Sequence, residues 1–179
     1  MSRNAPSEEP SIEAEVDESA RLRALHAYEV LDTPAEEAFD RIVEMASRIF
    51  DVTAAAVSLV DSDRVWFKAV EGLELDTLPR SGTLATVAME AGKCESISDA
   101  RDVDDLREHP LVADEPGLRF YAAAPLITPD GFRVGELSIF DDEPRERLTE
   151  DESDTLGDLA SLVIDEFEFR LATRQTSKQ

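Results

Sequence analysis

The chain has 179 residues, a length suited to one domain with tails, and its 18 basic against 41 acidic residues give a net charge of -23. Binding phosphate requires Lys and Arg to replace condensed counterions, so this balance argues against nucleic acid and anionic membranes as partners. The 42% hydrophobic fraction is too high for a disordered chain, and the single cysteine, Cys94, excludes an internal disulfide or a cysteine-cluster metal site.

The acid is spread along the chain, and lysine occurs only as Lys68, Lys93 and Lys178. A folded domain wrapped in carboxylates with so few lysines resembles proteins that work in molar salt, where a Debye length of about 3 Å removes most self-repulsion. Stability is therefore expected to rise with salt. The N-terminus is polar and lacks an apolar core, and no run of about 18 apolar residues occurs, so neither a secretory leader nor a membrane span is expected. The lone thiol fits a reducing compartment, and the expected location is the cytoplasm.

In chain order, residues 1–17 are acidic and proline-containing and read as a flexible tail. From Glu18, the spacing of Leu22, Leu25 and Val30 or Leu31 predicts a helix that stops at Asp32. Thr33, Pro34 and Glu36 form a start signal, with threonine as N-cap, proline at the first helical position and a carboxylate three residues on. They predict a helix over 34–50 that buries Ala35, Phe39, Ile42, Ala46 and Ile49. Residues 54–60 and 65–70 read as two strands joined by a polar turn. Residues 83–91 suit a short helix ending at Gly92, and 96–98 a short strand. The charged, proline-containing stretch 99–117 reads as a long loop with a helical turn.

Residues 119–128 and 134–140 flank Pro129-Asp130-Gly131, which predicts a β-hairpin, with Ala122, Ala123 and Ala124 leaving space at the middle of its first strand. Thr149 and Glu152 form a capping box ahead of a last helix with Leu156, Leu159, Val163 and Phe167 on one face and Leu162 and Phe169 elsewhere. Residues from Arg174 read as a frayed tail. The domain is placed at 18–171, with tails at 1–17 and 172–179. The element order is an α+β pattern with a largely antiparallel sheet covered by helices.

Several short blocks then carry a family resemblance: Arg21-Leu22, Leu31-Asp32-Thr33-Pro34, Phe39-Asp40, Val57-Ser58-Leu59-Val60-Asp61, Arg64 with Trp66-Phe67-Lys68, and Gly72-Leu73. Pro79-Arg80, Asp99-Ala100-Arg101, Pro110-Leu111-Val112, Arg119-Phe120-Tyr121-Ala122, Pro125-Leu126 and the Pro129-Asp130-Gly131 turn continue it in the same order. From about residue 20 to 171 the chain resembles the GAF domains that precede histidine kinase, diguanylate cyclase or similar output modules.

The resemblance implies a GAF fold, with a central antiparallel sheet of about six strands, helices on both faces, and a ligand pocket between the sheet and the long variable segment. It also implies dimerisation through helices near 19–31 and 149–171, and sensing of a small molecule passed on as a helix movement. No output module follows within the chain, so a stand-alone domain is expected. Where relatives commonly carry Ser-Phe-Cys-x-His, this chain has Thr83-Leu84-Ala85-Thr86-Val87, and Gly135-Glu136-Leu137-Ser138 stands in place of Gly-Thr-Leu-Cys. A thiol, imidazole or metal role is thereby put in question.

The candidate ligand-binding residues are Phe67, Arg119, Tyr121, Glu136 and Ser138. Strand alternation puts Glu136 and Ser138 on one face with Val134 and Phe140, so Glu136 can meet a donor group of a ligand. The favoured alternative is that it faces solvent or pairs with Arg119, because a buried carboxylate needs a partner. Arg119 and Tyr121 share a face and either line a pocket, or Arg119 ties the 99–117 loop down through Asp99. Trp66 and Phe67 alternate across their strand and suit core packing more than a ligand cage.

His26, His109 and Cys94 show neither a metal spacing nor a partner for nucleophilic catalysis. Some GAF-fold proteins reduce methionine sulfoxide with several cysteines, and a single cysteine disfavours that enzyme reading. The expectation is a non-enzymatic sensory or regulatory domain that binds a small-molecule ligand or docks a separately encoded kinase or regulator. A structural partner domain binding no ligand is the remaining alternative. No cofactor and no ligand identity can be read from the sequence.

Overall fold

Residues 54–60 are all buried, as a run of Ala, Val and Leu with a single Ser requires when both faces of a strand are covered. The computed structural model describes residues 12–81 and 83–179, and this run is β1 (Ala54–Val60). It pairs antiparallel with β2 (Arg64–Glu71) on one side and with β6 (Arg133–Asp141) on the other. With β3 (Leu78–Pro79), β4 (Glu95–Ile97) and β5 (Phe120–Ile127), the order is β3-β2-β1-β6-β5-β4 in one six-stranded antiparallel sheet. The α+β architecture and the strand number agree with the sequence reading.

The sheet separates two cores. On one face α1 (Ile12–Ala27), α2 (Glu37–Phe50) and α6 (Glu150–Ser177) contribute Leu25, Phe39, Ile42, Val43, Leu156, Val163 and Phe167, against Val57, Leu137 and Ile139. On the other, short turns supply Leu84, Ala88, Leu106, Val112 and Leu118 against Ala54, Ala56, Tyr121, Ala123 and Phe140. These belong to α3 (Val87–Ala91), α4 (Asp104–Arg107), α5 (Pro110–Ala113) and the loops beside them. The space left by Ala123 is thus filled by the 99–117 segment, while Ala122 and Ala124 face the long helices. Helices cover both faces.

The hairpin turn closes as predicted: the N–H of Gly131 donates to the Thr128 carbonyl at 2.8 Å, and Gly131 has φ +89°, a left-handed value that suits glycine. The β5–β6 register shifts between Leu126 and Ile127, and Val134 consequently packs in the long-helix core rather than beside Glu136, Ser138 and Phe140. Next to it, a Cβ on Gly135 would lie 1.9 Å from the Ser58 carbonyl oxygen, so only glycine permits β6 to approach β1 this closely.

Helix boundaries differ in four places, one being that α1 ends at Ala27 rather than at Asp32. α1 begins at Ile12, inside the stretch read as a tail, whose residues 1–11 lie outside those described. α2 starts at Glu37 rather than at Pro34, because Thr33 and Glu36 are engaged elsewhere. Thr33 Oγ1 donates to the Val30 carbonyl and accepts from Lys68 Nζ, while the Glu36 carboxylate pairs with Lys68 and Arg170. Ile49, expected on the buried stripe, is 53% exposed, and Val43 takes a core place instead. At the other end α6 has the predicted Thr149–Glu152 capping box and continues to Ser177, through the residues read as frayed. No helix among the described residues is long and apolar enough to cross a membrane.

Candidate functional site

Three of the five candidate residues meet at the centre of the loop-side face. β5 and β6 bring Tyr121 opposite Phe140 and Ala123 opposite Ser138, and β1 places Ser58 opposite Glu136. Glu136 has no exposed surface. Its Oε1 accepts the backbone N–H of Ala88 at 2.7 Å and of Met89 at 3.0 Å. Its Oε2 accepts the Tyr121 hydroxyl, whose oxygen lies 3.2 Å from Ser138 Oγ.

The two amides belong to the first turn of α3, where backbone N–H groups have no partner within the helix. Glu136 therefore caps α3 from the sheet face on which it packs, and holds the 83–91 stretch against β6. Burial pushes the Glu136 carboxyl up to about 7, against the pull of the Tyr121 hydroxyl and the two amides, which favour the charged form. Tyr121 is pushed well above its ordinary value, first by burial and then by the charge of Glu136, so it remains a donor. The arrangement offers one titratable acceptor, one phenol donor and the Ser138 hydroxyl in a buried environment.

Glu136 thus neither faces solvent nor pairs with Arg119, the alternative favoured from sequence. Arg119 donates from Nε and Nη2 to the Asp99 carboxylate at 2.8 and 2.7 Å, the tie that anchors the beginning of the 99–117 segment. That pair draws the Asp99 carboxyl below its ordinary value through its hydrogen bonds to Arg119. Phe67 is half-buried and packs against Val65, Ala85 and Met89 as well as the loop-side core. Trp66 packs on the opposite, long-helix core, as alternation requires.

The two amides of α3 were not among the candidates. The short helix ending at Gly92 was legible, and Thr83 does accept the N–H of Ala85, but no local signal says which side chain caps the following turn. The remaining reactive side chains lie apart from this cluster. Cys94 packs on the long-helix side, where burial raises its thiol. His109 Nδ1 accepts the N–H of Leu111 at the start of α5, and His26 Nε2 lies 2.9 Å from Asp61. Among the described residues, no group of three or more His, Cys, Asp or Glu side chains is disposed to hold a metal ion.

Comparison with known proteins places this geometry in context. A family model described as GAF domain matches residues 34–164. A cyclic di-GMP phosphodiesterase of Pseudomonas aeruginosa is 34% identical over 148 residues, which is 83% of this chain and 25% of that protein, so the chain spans about a quarter of its relative's length. Among solved structures, the GAF domain of an Acinetobacter phosphoenolpyruvate-protein phosphotransferase aligns with a TM-score of 0.63 at 13% identity, over 91% of this chain and 97% of that one. The free methionine-R-sulfoxide reductase of Neisseria meningitidis, solved with its substrate, aligns with a TM-score of 0.62 at 18% identity, over 96% and 98% of the two chains. At these identities the structural likeness speaks for the fold alone.

Proposed function

The chain belongs to the GAF-domain family, and from that premise we propose that it is a sensory or regulatory domain of signal transduction, without catalytic activity of its own. The observation that carries this reading is Glu136, a carboxylate buried at the sheet centre whose amide partners lie in a peripheral segment rather than in the sheet. A small molecule rich in N–H or O–H donors would compete with Ala88 and Met89 for Glu136, and its binding would displace α3 and the segment that follows it. Buried ionisable groups with raised pKa values are characteristic of functional sites, since their desolvation has to be offset by specific partners. A raised thiol at Cys94, on the far side of the sheet from Glu136, supports the non-enzymatic reading.

The likeness to a cyclic di-GMP phosphodiesterase supports a shared regulatory module more than a shared hydrolytic activity, because the match covers a quarter of that protein. The proposed output is helix movement in a homodimer built on α1 and α6, read by a kinase or regulator. Exposed Leu162 and Phe169, seven residues apart on α6, support that interface.

Mass spectrometry of small molecules released from the purified, denatured protein tests the sensor. A donor-bearing compound released from the wild type and lost from Glu136→Leu is the expected result. Absence of any released compound from both proteins would favour docking without a ligand. That second reading has its own support in the packing of Leu84, Leu106, Val112 and Leu118 over the alanines of the sheet.

A further inference from the structure

β2 is longer than the strand that covers it. β3 pairs only with Arg64 and Val65, through Pro79 and Leu78, and over residues 66–71 the outer backbone edge of β2 has no strand partner among the described residues. No backbone hydrogen bond joins this stretch to the 72–77 segment that leaves it. Natural sheets usually cover such an edge or blunt it with charge, since unpaired N–H and C=O groups template a further strand. Here a groove of about 500 Å³ runs along the edge instead.

The groove has two chemically different walls. Asp40 and Glu44, one turn apart on α2, stand on the long-helix side, and Glu71 closes the end. None of these three carboxylates is ion-paired among the described residues, although most arginines of the chain are engaged in contacts of their own. Like charges four apart on a helix face repel, so the pair Asp40–Glu44 gains from an external cation. The one lysine of the strand, Lys68, does not supply it: its side chain is fully buried and turned to Thr33, Pro34 and Glu36. On the opposite side of the edge, Phe67 and Leu75 are partly buried apolar side chains packed toward the loop-side core.

We infer that the β2 edge is a docking site for an extended peptide segment of a partner protein in which basic and apolar residues alternate. Added as a seventh strand, such a segment pairs its backbone with residues 66–71. Because successive side chains of a strand point to opposite faces, its basic residues meet Asp40 and Glu44 while the apolar ones meet Phe67 and Leu75. A second copy of this chain is disfavoured as the occupant, since it would bring the same three carboxylates and a net charge of -23 against themselves. The inference is independent of whether the Glu136 cluster takes a ligand.

The test uses the full chain and an end-capped hexapeptide alternating lysine and valine, followed by fluorescence anisotropy at one fixed KCl concentration. Two further peptides carry N-methyl groups on either the lysine or the valine nitrogens. Strand addition uses the N–H groups of one edge only, so one methylated peptide is expected to bind about tenfold or more weakly while the other binds like the parent. Asp40→Asn combined with Glu44→Gln is expected to weaken the parent peptide by about tenfold, whereas Glu146→Gln with Asp158→Asn, an equal change of charge elsewhere, leaves it unaltered.

Equal binding of all three peptides, or equal loss in both double variants, would reduce the effect to diffuse charge attraction and overturn the proposal. Protection from hydrogen exchange, without peptide, of those amides of residues 66–71 that point away from β1 would also overturn it. Protection that grows with protein concentration would assign the edge to a second copy, and concentration-independent protection to residues 1–11 of the same chain.

Discussion

Replacing Glu136 by glutamine isolates the energetics of the buried carboxyl. Raising its pKa from 4.5 to about 7 means that the ionised form is penalised in the folded state by about 3 kcal/mol relative to the unfolded chain. The sign follows from the direction of the shift. A carboxyl whose folded value lies above its unfolded value contributes its full stability below about 4.5, where it is protonated in both states. That contribution is lost progressively as pH rises to about 7 and beyond.

Glutamine has no proton to lose, and its carbonyl oxygen retains the two α3 amides. The expected result is therefore a pH-dependent difference. In urea denaturation at constant KCl, wild type should lose about 2 to 3 kcal/mol relative to Glu136→Gln between pH 5 and pH 8, the remainder of the penalty having been incurred below pH 5. Taking the difference between the two proteins removes the titration of the many surface carboxylates, which both share. A difference that stays flat within about 0.5 kcal/mol over this range would refute the buried, proton-linked role of Glu136.

Lys68→Met keeps the volume but removes the donor to the Pro34 carbonyl and the partner of Glu36; because Glu36 retains Arg170 at 3.0 Å and is about one-third exposed, the cost should be about 2 kcal/mol rather than the larger loss of a wholly buried pair. Thermal melting measures it, and hydrogen exchange should show loosening centred on residues 28–36; an unchanged melting temperature would contradict the network. Melting temperature should rise as KCl increases from about 0.01 to 1 M and the Debye length falls from about 30 to 3 Å, and no change would refute the salt-adapted reading of the acidic surface. Light scattering at molar KCl is expected to give a homodimer that Leu162→Asp with Phe169→Asp converts to a monomer; a monomeric wild type would refute the proposed interface.

Much of the fold was legible because its signals are local. Apolar spacing marked the faces of α2 and α6, the Pro129-Asp130-Gly131 turn fixed the hairpin, and Thr149 with Glu152 announced the start of α6. Where a local signal misled, a distant partner had intervened. Thr33 and Glu36 have the spacing of a capping box, yet a buried lysine on β2 and an arginine on α6 draw them away and delay the start of α2. Ile49 keeps helical spacing, but it lies in the last turn of α2, where that face is exposed.

The site divides along the same line. Alternation suffices to put Glu136, Ser138 and Phe140 on one face of their strand, but it misplaces Val134, which lies across the register shift, and it does not say that Glu136 is buried rather than turned to solvent. Which groups satisfy that carboxylate is decided by segments that lie 47 and 48 residues away in sequence and close over it only when the sheet is complete. Arg119, two residues before Tyr121, ends on Asp99 instead. A charged side chain takes whichever compensating partner the packed elements bring within hydrogen-bond distance, and that selection is a property of the tertiary structure.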